Sequence, residues 1–247
     1  MLKTCCTVSK SWVPRTRKHL FAHVRFSPLL LGWWKEIFPD PSNSSAHHTR
    51  GLFVHAILTI TAADADMYWI RAFRNVEHLL VGQTNRSPLV QFYALSPAVK
   101  SLHLTSTTTD IFDLISSSPL LEDLVLYDLH PAFEEDLDPD DEAGGWDPPS
   151  TSPKLTGSLD LRMNQGLDTI AYRLCALPNG LRFTKITVGF GVGTIDPIMD
   201  LVSACSDTLE SLTVNCFVML GMYPSASVIS QCLTAARGRR ISEGAFP

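Results

Sequence analysis

The chain has no carboxylate before Glu36, although six Lys or Arg residues fall within positions 1–25. Taking those six away from the net charge of −5 leaves −11 on residues 26–247, so charge is segregated along the sequence. Other absences exclude whole classes of protein. Cys5, Cys6, Cys175, Cys205, Cys216 and Cys232 show no CxxC spacing, and two are adjacent. This arrangement suits neither a disulfide framework nor a zinc ribbon and predicts reduced thiols, mostly in the core. The longest apolar stretches, around 52–60 and 217–223, fall short of the ~20 residues a membrane span needs. Lys10, Arg15, Arg17 and Lys18 interrupt the early apolar residues, where a secretory signal needs an unbroken run. The sequons at Asn43 and Asn85 therefore read as chance matches, and the expected compartment is cytoplasm or nucleus. There is no GxSxG, HExxH or P-loop.

What is present is internal repetition. With 247 residues, 45% of them hydrophobic, the chain can bury a large core. Six segments share an apolar-x-x-apolar-x-apolar frame: VEHLLV (76–81), VKSLHL (99–104), LEDLVL (121–126), LTGSLDL (155–161, one residue longer), FTKITV (183–188) and LESLTV (209–214). TRGLFV (49–54) is a weaker seventh. From Val76 the frame recurs after 23, 22, 34, 28 and 26 residues. Four of these intervals lie within the ~20–29 residues of leucine-rich repeats, and the fifth holds an insertion.

Each frame ends in alternating apolar residues, such as Leu102 and Leu104, which predicts a short strand with one inward face. Helical spacing fills the intervals, at 64–73, 87–95, 109–117, 168–177, 196–206 and 225–236. Strand and helix alternating at this period predict parallel strands, because each connection must carry the chain back. No single strand and helix can bury both apolar faces alone. The expected fold is therefore an α/β solenoid of stacked units spanning 49–236, against the alternative of a closed or doubly wound sheet. These segments resemble leucine-rich repeats of an irregular kind. The asparagine of that family, three residues past the frame, occurs only as Asn164, where other repeats have Thr84, Thr107, Leu129, Gly191 and Phe217.

Several chemistry-like motifs have simpler structural readings. VGFGVG, with Gly189, Gly191 and Gly193, resembles a phosphate-cradling turn, but Thr194 stands where the third glycine belongs. A repeat loop is the preferred reading, with a cryptic enzyme using 189–193 as a third functional possibility. EEDLDPDDEAGGWD (134–147) has calcium-loop carboxylates at Asp136, Asp138 and Asp140, yet Pro139 interrupts it and Asp141 takes the glycine position. It reads as an acidic loop insertion, 131–153, running into the linker PPSTSP. His47 and His48 are adjacent in a polar loop, a poor arrangement for two ligands of one metal. The sequence thus nominates no catalytic residue, no cofactor and no metal.

In the opening stretch, Leu2, Cys5, Cys6, Ser9, Trp12 and Val13 recur at helical spacing. Pro14 should break that segment, and Leu20, Phe21 and Val24 form a second apolar set. A helix, turn, helix is expected, with Trp12 completing a buried stripe and not offered to nucleic acid. The stretch LKTCCTVSKSWVPRTRKHLF closely resembles the second half of an F-box, with Cys5 or Cys6, Val8, Trp12 and Leu20 or Phe21 on the family positions. KHLFAHVRFSPLLLGWWKEIFPDP, LSPAVKSLHL, SPLLEDLVL and CSDTLESLTV are similar to F-box proteins of mushroom-forming fungi.

That resemblance implies a helical module, 1–25, docking a Skp-type adaptor of a cullin ubiquitin ligase through Cys6, Val8, Trp12 and Leu20. Behind it would come an entry segment at 26–48, the repeat domain that binds a protein substrate, and a tail at 237–247. The family's first half would lie upstream of Leu2, so weak or lost adaptor binding is expected, with a stand-alone scaffold as the alternative function. An array lacking a final cap is likewise expected at 233–247. From the alternation within frames, Glu77, His103, Asp123, Asp160 and Glu210 are the expected partner-binding residues. Neither nucleic acid nor membrane is an expected partner.

Overall fold

The computed structural model describes residues 13–26, 28–55, 67–82, 95–106, 111–129, 148–163, 166–190, 196–216 and 240–241. They form an α/β structure around one all-parallel sheet. Its strands are β1 (His23–Phe26), β2 (Gly51–His55), β3 (His78–Gly82), β4 (Ser101–Thr105), β5 (Asp123–Tyr127), β6 (Ser158–Met163), β7 (Lys185–Phe190), β8 (Ser211–Cys216) and the short β9 (Arg240–Ile241). They lie in sequence order from first to last, with no reversal of the kind a doubly wound sheet contains. All seven frame segments form strands, and each is paired with the next.

Register follows from the frame. Leu52, Leu79, Leu102, Leu124, Leu159 and Ile186 are successive partners across the sheet, and none is more than 1% exposed. Two residues on, Val54, Val81, Leu104, Leu126, Leu161 and Val188 form a second row buried to the same degree. A one-residue slip would turn both rows out to water. Burial of each such side chain stabilises by about 1.5–3 kcal/mol. The frame's first position, occupied by Val76, Val99, Leu121, Leu155, Phe183 and Leu209, is buried ahead of each strand.

The helices are α1 (Val13–Leu20), α2 (Pro28–Ile37), α3 (Phe112–Ser116), α4 (Leu167–Cys175) and α5 (Asp196–Ala204). Leu114, Ile170, Leu174, Ile198 and Leu201 join the two strand rows in one core, which places α3, α4 and α5 on the inward side of the sheet. α4 packs against α5, and the buried Arg173 guanidinium lies 5.8 Å from the ring centroid of Phe112 on α3. The left-handed turn into α4 falls on Gly166, with φ 69°, where a side chain would cost about 1–2 kcal/mol.

The extra residue of LTGSLDL is accommodated in the approach to β6, at residues 156–158. A Cβ on Gly157 would stand 2.6 Å from the Glu122 carbonyl oxygen, so only glycine fits there. The start of β6 is tied to β5 by Asp123, whose carboxylate accepts hydrogen bonds from the Ser158 amide at 2.9 Å and its hydroxyl at 2.6 Å.

The N-terminal region differs from expectation. Pro14 lies in the first turn of α1, where its missing N–H has no intrahelical partner to lose; apart from Val13, the segment it was expected to break lies outside the described residues. Instead of a second helix through Val24, the chain turns after Leu20 and enters β1, where Val24 aligns with the buried Leu52. The expected entry segment is part of the packed body. Trp34 of α2 is 4% exposed and meets Phe21, Phe38, Trp69 and Phe73 at centroid distances of 5.5–6.4 Å. The described part of the 64–73 helix is a 3-10 helix, Met67–Ala72. The expected helices at 87–95 and 225–236, apart from Leu95 of the first, lie outside the described residues. So do Cys6, Val8, Trp12, Asn164 and most of the acidic insertion.

Candidate interaction surface

The outward side of the sheet follows from the same alternation that fills the core. Between the two buried rows runs Arg25, Phe53, Leu80, His103, Val125, Asp160, Thr187 and Thr213, one residue per strand in register. Adjacent members stand about 4.8 Å apart. Two residues further, Tyr127 and Arg162 are partners on the same side. Phe53 is 39% and Tyr127 44% exposed, among the large apolar side chains in solvent in the described residues.

The five residues expected to meet a partner divide into three places. Glu77 and Glu210 lie on the border where strands begin, Glu77 ahead of β3 and Glu210 ahead of β8, too far apart to form one site. Glu77 is bonded to Arg50 at 2.7 Å and approached by Lys100 at 3.8 Å. Asp123 is taken up by Ser158 at the start of β6. His103 and Asp160 do share the central row, with Val125 between them.

Asp160 accepts two hydrogen bonds from Arg162, Nε to Oδ1 at 3.0 Å and Nη2 to Oδ2 at 2.8 Å. That pairing holds the guanidinium pKa above its ordinary value. Burial pushes the His103 imidazole pKa down, the Asp160 carboxylate pulls it up and Arg162 lowers it. The centre of the face is therefore a polar trio of His103, Asp160 and Arg162 set among Leu80, Val125 and Tyr127. Such a mixture of half-exposed apolar and polar groups is suited to recognition by contact.

Sequence reasoning nominated only polar residues and missed Phe53, Leu80, Val125, Tyr127 and Arg162. The signal for them was the outward phase of the same frames. His47 and His48 stack at 3.9 Å in the turn Ser45–His48, and burial first, then His47, Arg17 and Lys18, lowers the His48 pKa. Cys175 and Cys205 are free thiols; burial, then Asp200 and Cys205, pushes Cys175 up to about 11, which leaves little thiolate for chemistry. Gly189 is buried within β7, paired between Arg162 and Asn215, so the first glycine of VGFGVG belongs to the sheet; residues 191–193 lie outside the described residues. Among the described residues no group of three or more His, Cys, Asp or Glu is placed to hold a metal, and no helix is long and apolar enough to cross a membrane. Comparison with models of known families, with curated proteins and with solved structures finds no match to this chain.

Proposed function

We propose that this chain is a protein-interaction module, an irregular leucine-rich-repeat-like solenoid whose outward strand surface holds a partner protein. The role resembles that of the substrate-recognition subunit of a cullin-type ubiquitin ligase working in the cytoplasm or nucleus. The observation that carries this reading is the strand order: parallel neighbours follow one another along the chain, and each adds one residue to every outward row. Stacked units that shield each other's apolar flanks account for that order, and such arrays serve as binding surfaces. Cys6, Val8, Trp12 and Leu20 are the proposed adaptor contacts. These residues lie in the part of the F-box pattern that this sequence resembles.

A stand-alone scaffold without ligase function is the second reading. It is favoured by the pairing of β1 with β2, which builds the segment after the F-box-like stretch into the sheet. Pull-down with a Skp-type adaptor separates the two, comparing this chain with one extended upstream of Met1. Capture of either form supports the ligase role; failure of both leaves the scaffold.

A further inference from the structure

The outward face is chemically divided. On strands β1 to β4 no outward position is Asp or Glu. Those positions carry Arg25 and the imidazoles of His23, His78 and His103, with the apolar side chains of Phe53 and Leu80 among them. His23, Arg25, Phe53 and His78 are exposed. Of the described residues immediately ahead of these strands, the carboxylate is Glu77, already shared between Arg50 and Lys100. This grouping of one guanidinium with three imidazoles, and no carboxylate among them, stands out in a chain whose net charge is −5.

Resting on the interaction reading above, we infer that this half of the face docks an acidic polypeptide segment bearing an apolar side chain. Its carboxylates meet Arg25 and accept hydrogen bonds from His23 and His78, while its apolar group covers Phe53 and Leu80. A nucleic acid would also bring negative charge and a flat surface to Phe53. However, a single arginine on this half of the face offers little counter-charge to a polyanion, and the rest of the chain repels it. The division of labour is the usual one: charge sets approach and register, and the buried apolar contact sets lifetime.

The test is selection of a random display library of peptides of about 12 residues on the full chain. The expected winners combine Asp or Glu with Leu, Ile or Phe. A synthesised winner should bind at least ~10-fold more weakly to Arg25→Glu and to Phe53→Ser, and equally well to Lys154→Glu. Far-UV circular dichroism checks each variant, and Arg25→Glu decides if Phe53→Ser unfolds. Basic or uncharged winners, no winner, or displacement of the peptide by a single-stranded RNA oligonucleotide would overturn the inference. Winners indifferent to both changes but lost on Thr187→Arg would place docking on β7, overturning this inference while leaving the broader reading intact. Winners indifferent to changes on either half would remove both.

Discussion

Gly157 and His103 show how much a single position can decide. At Gly157 an added methyl group meets the Glu122 carbonyl oxygen, which is backbone and cannot swing aside. Gly157→Ala should therefore destabilise the fold by about 1–3 kcal/mol in urea unfolding, although the position is in a loop-like frame and alanine is the smallest possible change. His103 carries a pH signature. Its folded-state pKa lies below the ordinary histidine value, chiefly through burial, so the unfolded chain binds its proton more readily. The stabilising contribution is complete above about pH 6.5 and is lost as pH falls towards the folded-state pKa. An NMR titration should show the His103 imidazole protonating at lower pH than a free histidine. His103→Gln should reduce, without abolishing, the loss of stability on acidification, because His48 is shifted in the same direction. The part played by Asp123 could not be read from sequence. Its partner is Ser158, 35 positions on, beside Gly157, whose backbone lies close against Glu122.

At the level of elements, the strands were legible and their surroundings less so. VKSLHL and LEDLVL each contain two inward residues at period two after a buried first position, a signature that a neighbouring copy reinforces. β1 offered no such support. It has four residues between helices, and Val24 suits an amphipathic helix as readily as a strand until Leu52 lies beside it. Trp34 was likewise silent, because its partners come from 21 to 73 and meet only in three dimensions. The two faces of one strand should respond differently to truncation. Leu126→Ala, inward and fully buried, should cost about 2–5 kcal/mol, whereas Val125→Ala, outward on the same strand, should stay within about 1 kcal/mol. Equal losses would mean that β5 is covered on both sides.

For the whole molecule, sequential parallel order is the claim on which the functional reading depends. It explains why one frame, repeated, yields both a core and a surface, and why the residues on that surface come from positions 25 to 213. The site was less legible than the fold because recognition chemistry has no period. Alternation tells which residues face outward, but which of them form a set depends on register between strands.

The most direct test is a ladder of distances. Spin labels attached through an introduced keto amino acid at Phe53 and, in turn, at Val125, Thr187 and Thr213 sample three, five and six strand steps. At ~4.8 Å per step the backbone separations are about 14, 24 and 29 Å, the longest shortened somewhat by curvature. Electron–electron resonance distances that rise in this order are the predicted result; a Thr187 or Thr213 label closer to Phe53 than the Val125 label would contradict it.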